Sequence, residues 1–398
     1  MNIKSLAILI AIPIAILIAG LGGCAWSPPV PVSEAIAVQQ LWQDQTFNYN
    51  AALVTIDKNK LFALDEDLRI LLKGARLEKM NAQTRVNRLI TILYGPRKGA
   101  KIAQFPYASG HSSIAAETWQ RKRGDCLSLL VLAYSIAKTM DLPVKMQEVH
   151  VPPIFDRYGG VDYVAGHVNL LIKNGGRLQL IEGFGIGDVI IDFEPQIGSQ
   201  REGSSLTEDA ILARFYNNLA AEYMAEGKLA LAYAHFKAAI LTDASFSPSY
   251  ANLSLIYKRQ GLQLDAERLL RLAITLNDQD DIAMSALHQM LLDQGRSSEA
   301  SAYARVLEAR REKNPYYWIG LGLDQFEKEN YQQAINALER ADALSTGFDE
   351  VHRYLAIAYL RNGNQEKAKE QASLLATLLH QEAAPTVMNK KVKKQTLN

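Results

Sequence analysis

The sequence predicts an α+β domain followed by an all-α repeat solenoid, and three observations support this fold class. From about Glu34 to Arg121, apolar residues recur at three- and four-residue spacing, which is typical of amphipathic helices. From Val144 to Phe193, the pattern changes to short β-type runs that are separated by Gly and Pro. From Ala213 onward, the chain repeats one pattern every 34 residues.

The N-terminus has the pattern of an export signal. An apolar run from Leu6 to Ala19 follows a short positive segment; the run is short for a membrane-spanning helix, and Pro13 interrupts it. Shortly after it comes Leu-Gly-Gly-Cys, which resembles a bacterial lipobox with Cys24 as the acceptor of diacylglycerol. The alternative is an ordinary signal anchor whose cysteine is incidental.

The lipobox implies a signal peptide over residues 1–24 and a tether over residues 25–33. It also implies an exported protein that is anchored by lipid, on the periplasmic face of the outer membrane if the cell is Gram-negative. If Cys24 carries lipid, Cys126 is a lone thiol, since the chain has 2 cysteines. A lone thiol in an oxidising compartment is a liability unless it is buried or used.

The charge balance argues against a nucleic-acid partner. The 398 residues include 43 Lys and Arg and 42 Asp and Glu, the net charge is +1, and the basic residues form no patch. Residues 383–398 form a polar basic tail that we expect to be solvated. A hydrophobic content of 48% is sufficient for packed cores.

The C-terminal pattern consists of five windows that begin at residues 213, 247, 281, 315 and 349. Their eighth residue is usually small, and their twentieth is alanine in every window: Ala232, Ala266, Ala300, Ala334 and Ala368. This resembles the tetratricopeptide repeat, a helix-turn-helix unit, and predicts five repeats over residues 213–382. His288 replaces the small eighth residue of the third window, and we expect it to pack rather than to bind a ligand. Such arrays hold a peptide or a partner protein, so chemistry is expected upstream.

The stretch RKRGDCLSLLVLAY places Cys126 at the head of an apolar helix. Gly124 allows a tight turn and Asp125 can cap the helix, so the cysteine would lie in the first helical turn. A helix N-terminus and nearby basic residues lower the pKa of a thiol and supply thiolate near neutral pH. The alternative is a small buried cysteine that only packs.

A thiolate nucleophile needs a base that passes a proton to the leaving group, and that base needs an orienting acid. Of the 7 histidines, His167 is the best candidate because it begins a strand that leads into an Asn-Gly hairpin. If Asn174-Gly175 forms a two-residue turn, the strand register places Glu182 opposite His167. A metal site is disfavoured because one thiol and scattered histidines lack ligand spacing.

Three elements in order resemble the transglutaminase-like fold of papain-type cysteine enzymes. They are the RGDC turn into an apolar helix, the strand GHVNLLI, and the run VIIDF. The resemblance implies a transglutaminase-like (papain-like cysteine protease) domain over residues 34–200 with a helical N-terminal part. It also implies Cys126 as the nucleophile, His167 as general base and acid, and Asp192 as the orienting acid, with no cofactor.

Two parts of this predicted site stay open. Asp192 has the strand context of the family's acid, Glu182 has the register argument, and Asp188 lies between them. An oxyanion hole needs donors besides the N–H of Cys126. Gln120 lies six residues before the cysteine, at the offset of the oxyanion glutamine of papain-like proteases; an ordinary exposed glutamine is the alternative.

These observations give two hypotheses for function. In the first, the protein is a membrane-anchored thiol enzyme that acts on peptide or protein amide bonds, while the repeats recruit a protein or peptide. It would be a cysteine peptidase or amidase, or an acyl transferase, and hydrolysis is favoured. In the second, it is a non-catalytic lipoprotein scaffold or assembly factor whose transglutaminase-like domain is structural. The order of cysteine, histidine and acid favours the first hypothesis.

Overall fold

The structure is a computed structural model that describes residues 39–95, 105–108, 111–158, 161–173, 188–193 and 202–382. Several predictions lie outside the described residues. They concern the signal peptide with Cys24, the tether, Glu182 with its Asn-Gly turn, and the basic tail.

In the described part of the chain, five α-helices precede the sheet, as the apolar spacing predicts. They are α1 (Lys58–Phe62), α2 (Glu66–Gly74), α3 (Ala82–Tyr94), α4 (Ala115–Arg121) and α5 (Cys126–Thr139). Short polar side chains cap four of them: Asp57 accepts a hydrogen bond from Lys60 N, Asp65 accepts one from Asp67 N, and Asn81 accepts one from Thr84 N. Asp125 caps α5 in the same way.

The sheet has the order β3-β2-β1-β4, and all its strand pairs are antiparallel. The strands are β1 (Val144–Tyr158), β2 (Val161–Ile172), β3 (Val189–Ile191) and β4 (Ser204–Leu206). The sequence did not predict β4, and β1 is longer than its apolar run because it continues past an irregularity. The register between β1 and β2 shifts between Val149 and Ile154, where two prolines offer no N–H to the ladder.

Helix α5 is the centre of the first hydrophobic core. The core combines α5 with apolar residues of α1, α2 and α3 and with the sheet residues Met146, Val168, Leu170 and Ile172. It also includes Phe215 and other residues of α6, the first helix of the solenoid. The solenoid therefore begins inside the upstream core.

Ten helices form the solenoid as five hairpins. They are α6 (Glu208–Ala225), α7 (Leu229–Thr242), α8 (Ser247–Arg259), α9 (Gln263–Leu276), α10 (Asp281–Asp293), α11 (Ser297–Arg311), α12 (Pro315–Glu327), α13 (Tyr331–Leu344), α14 (Asp349–Arg361) and α15 (Gln365–Glu382). The five alanines at the twentieth position are all buried. At the eighth position, a Cβ on Gly322 would lie 2.6 Å from Leu338, which explains the need for a small residue. The predicted helical-repeat solenoid is confirmed.

His288 packs as expected. Its Nδ1 lies 3.0 Å from the carbonyl oxygen of Ala300, across the two helices of the third hairpin. The larger side chain therefore contacts the backbone of the second helix of its own hairpin.

An aromatic N-terminal strap, residues 41–49, lies on the first repeats. Phe47 stacks on Tyr233 with ring centroids 4.6 Å apart, and the Tyr257 hydroxyl donates to the Leu41 carbonyl oxygen at 2.6 Å. Lys237, nearly buried, donates to Asp44 at 2.7 Å. The chain thus contacts the repeats both before and after the sheet.

No helix in the described part of the chain is both long enough and apolar enough to cross a lipid bilayer.

The turns inside the five hairpins share one backbone conformation. The turn residue has a positive φ at each 34-residue step: Gly227 (75°), Gly261 (78°), Gly295 (74°), Glu329 (61°) and Gly363 (85°). A side chain in this left-handed region costs roughly 1–2 kcal/mol. The fourth turn carries that cost at Glu329.

We expect Gly261→Ala to lower the free energy of unfolding by about 1 kcal/mol, because alanine disfavours the left-handed conformation. No atom would crowd the new Cβ, so backbone conformation is the main cause. Glu329→Gly is the matched control and should change stability in the opposite direction. Chemical denaturation followed by circular dichroism measures both, and changes of the same sign would contradict this explanation.

Candidate active site

Cys126 is the first residue of α5, as predicted, and it is half-buried against the first core. The Asp125 carboxylate accepts a hydrogen bond from Ser128 N at 2.7 Å, which caps the helix. The N-terminal end of α5 therefore lies at the cysteine, where the helix dipole favours negative charge.

Gly124 is needed for a different reason from the one predicted. Its φ is not in the left-handed region; Lys122 has that conformation instead, with φ 55°. A Cβ on Gly124 would lie 2.9 Å from Ser128 Cβ and 3.3 Å from Thr118 Cγ2. The glycine lets α4 and α5 approach closely just before the cysteine.

His167 and Asp192 form a buried pair. His167 Nε2 lies 2.7 Å from Asp192 Oδ2, and only 2% and 4% of the two side chains are exposed. A buried histidine that is held through Nε2 has a fixed orientation, and Nδ1 is then the nitrogen that exchanges a proton with another group.

Strand register explains this pairing. His167 faces Val149 on β1, and Leu170 of β2 faces Ile191 of β3. One step further along that register, Asp192 comes beside Asn169, two residues from His167 on the same side of β2. Asp192 directly follows β3, so this short strand places its carboxylate next to His167.

Further polar groups hold the acid in place. Asn169 Nδ2 lies 3.3 Å from Asp192 Oδ2, and Gln147 Nε2 donates to Asn169 Oδ1 at 2.8 Å. The Tyr94 hydroxyl donates to the backbone carbonyl oxygen of Asp192 at 3.0 Å. Burial and the nearby Asp192 charge raise the pKa of Tyr94, so this hydroxyl remains a donor.

The structure separates the candidate acids. Asp192 contacts His167, whereas Asp188 is half-buried before β3 and acts electrostatically on Lys173. Glu182 lies outside the described residues. Gln120 is exposed and its amide donates to Asp65 Oδ2 at 2.7 Å, which argues against the predicted oxyanion role.

A second polar cluster next to the cysteine was missed by sequence reasoning. Glu222 of α6 accepts a hydrogen bond from Ser112 N at 2.8 Å and contacts His111 Nδ1 at 2.8 Å. The Ser112 hydroxyl donates to Asp125 Oδ2 at 2.5 Å. The sequence gives no sign of the contact with His111, because Glu222 is 111 residues away in the chain.

Two other kinds of site were considered in the described ranges: a surface recess and a group of metal ligands. An open recess of about 480 Å³ lies at the far end of α5, lined by Thr139 and residues of α1 and α2. Among the residues with described positions, His, Cys, Asp and Glu side chains form no group of three that could hold a metal ion.

No protein-family model matches the sequence, and no curated protein matches it. Among solved structures, the chain is similar to YrrB, described as a TPR protein with an unusual peptide-binding site, at 16% identity, 43% coverage of this chain, 88% of that one and a TM-score of 0.24. It is also similar to MamA from Desulfovibrio magneticus RS-1 (16%, 43%, 96%, 0.25) and to PilF of Pseudomonas aeruginosa (17%, 43%, 78%, 0.26). At TM-scores this low, the likeness does not bear on the site.

Removing one partner of the buried pair should be costly. We expect Asp192→Ala to lower the free energy of unfolding by about 3 kcal/mol, since it leaves His167 and Asn169 without their shared acceptor. Asp188→Ala, the matched control at the other end of β3, should change it by less than about 0.5 kcal/mol. Chemical denaturation, combined with hydrogen exchange of the β2 amides, measures both; equal effects would show that the pair has no special role.

Proposed function

We propose that this protein is an exported, lipid-anchored thiol enzyme that cleaves or transfers amide bonds of peptides or proteins. Cys126 is the nucleophile, His167 the general base and acid, and Asp192 the orienting acid. The observation that carries the proposal is the 2.7 Å contact between His167 Nε2 and Asp192 Oδ2, both of which are buried. A histidine held by a buried carboxylate is the arrangement that such a nucleophile needs.

The chemistry proceeds through a thioester. The Cys126 thiolate attacks the carbonyl carbon and forms a tetrahedral oxyanion, which the amides at the α5 N-terminus stabilise. The C–N bond then breaks, and His167 gives its proton to the leaving amine. Water attacks the thioester, His167 takes up its proton, and the carboxylic acid and thiolate are regenerated. An amine in place of water gives acyl transfer.

The setting of Cys126 supports a reactive thiol. It lies in the first turn of α5, which packs against β2, the strand that carries His167. Arg121, Lys122 and Arg123 come shortly before it in the chain. Positive charge and a helix N-terminus both stabilise thiolate, while the capping Asp125 opposes them.

In this proposal, the solenoid binds the protein or peptide on which the thiol site acts. Repeat arrays offer extended surfaces for such partners. Holding the partner and the anchored enzyme together raises the effective concentration of the scissile bond, so the active site needs little specificity of its own.

The non-catalytic scaffold is the second candidate, and two observations favour it. Helix α6 belongs to the first core, and the N-terminal strap packs on the repeats. An upstream domain that packs against the repeats in this way would have a structural role even if it catalysed no reaction.

The reactivity of Cys126 separates the two candidates. We expect iodoacetamide to alkylate Cys126 of the native full chain quickly well below pH 8, because an activated thiol is ionised there. His167→Ala should slow this reaction about tenfold or more, since the histidine stabilises the thiolate. Mass spectrometry of the Cys126 peptide gives the rate across pH 4 to 9.

His235→Ala is the matched control, because His235 is also a buried histidine but lies on α7 and contacts the Leu231 carbonyl oxygen. It should leave the alkylation rate unchanged. A thiol that reacts only after denaturation, regardless of His167, would show that Cys126 is a packing residue. The non-catalytic scaffold would then be the remaining candidate function.

The lipid anchor has its own test. We expect cells to incorporate labelled palmitate into the full chain, and Cys24→Ser to abolish the label and release the protein from the membrane fraction. Cys126→Ser is the control and should keep both label and membrane association. Labelling that persists in Cys24→Ser would contradict the lipobox assignment.

A further inference from the structure

The first repeat helix lies along the cysteine helix in the opposite direction. At one end, Glu208 near the start of α6 accepts a hydrogen bond from Tyr134 at 2.8 Å and contacts Lys138, both near the end of α5. At the other end, Glu222 reaches the loop beside Cys126. These two glutamates are about 21 Å apart along α6, close to the length of α5.

A continuous set of hydrogen bonds joins Glu222 to the cap of the cysteine helix. The Glu222 carboxylate accepts from Ser112 N, and the Ser112 hydroxyl donates to Asp125 Oδ2 at 2.5 Å. The other Asp125 oxygen accepts from Ser128 N. Asn218, one helical turn before Glu222, donates to the Ser112 hydroxyl at 3.0 Å.

These contacts are mostly removed from solvent. Ser112 is 3% exposed, and the Glu222 side chain is 22% exposed. Burial raises the pKa of Glu222, while the Ser112 N–H and His111 act in the opposite direction. Loss of a partner here would leave buried polar groups unsatisfied.

We infer that Glu222, in the first repeat, is a positioning residue for the Cys126 thiol and acts through Ser112 and Asp125. This rests on the proposed function, since a thiol that only packs needs no positioning. Glu222 holds the Ser112 loop, Ser112 orients the Asp125 carboxylate as cap, and the cap sets where α5 begins. The two donors on Asp125 also reduce the repulsion that its carboxylate exerts on an adjacent thiolate. The repeat solenoid is therefore part of the reactive site.

The test is the alkylation rate of Cys126 in the full chain across pH, together with thermal unfolding. Glu222→Ala should slow alkylation near neutral pH about tenfold, and Ser112→Ala about threefold, because each lowers the thiolate fraction. Glu222→Gln keeps an oxygen that accepts a hydrogen bond from Ser112 N, so its alkylation rate should be within about twofold of the native rate. Ser112→Ala removes only a hydroxyl and remains informative if Glu222→Ala does not fold.

Glu208→Ala is the matched control, because it breaks contacts between the same two helices at the end away from Cys126. It should lower thermal stability yet leave the alkylation profile unchanged. The inference is overturned if Ser112→Ala and Glu222→Ala react like the native chain, or if Glu208→Ala slows alkylation as much. A native thiol that is inert and independent of His167 would instead refute the proposed function itself.

Discussion

The architecture depends on one helix that is apolar around nearly its whole circumference. Ten of the 14 residues of α5 are buried, so the helix must be covered on every side. The sheet covers one side, and the helices α1 to α4 and the solenoid helix α6 cover the rest. Only the ends of α5 reach polar surroundings, and Cys126 lies at one of them. The position of the thiol thus follows from the packing of the helix behind it.

Burial of polar groups is the second constraint. His167, Asp192, Asn169 and Gln147 are all buried, and unpaired they would cost several kcal/mol. Hydrogen bonds between them offset that cost and hold each side chain in one orientation. The same dryness strengthens the attraction between an imidazolium and a carboxylate. Burial of these polar groups is unfavourable for folding, but it holds His167 in the defined geometry that a general base needs.

Local patterns in the sequence were sufficient to predict much of the fold and part of the candidate site. The Asp125 cap, the start of α5 at Cys126 and the alanines of the repeats follow from short-range spacing and from helix chemistry. The link between His167 and Asp192 needed the resemblance, because strand register alone pointed to Glu182. The contact between Glu222 and Ser112, and the strap with Phe47, could not be predicted, since neither involves a periodic pattern and each joins residues over a hundred positions apart. The length of β1 was missed because its two prolines mimic the end of a strand.

In the proposed function, Cys126 exists as a thiolate beside His167 in the folded protein. Ultraviolet absorbance of thiolate, taken as the difference between the full chain and its Cys126→Ser variant during a pH titration, measures this directly. The proposed pair predicts that thiolate absorbance appears at lower pH in the folded protein than in urea, and that His167→Ala reduces the difference. Absorbance that appears at the same or a higher pH in the folded protein would contradict it, and the cysteine would then be a packing residue of α5.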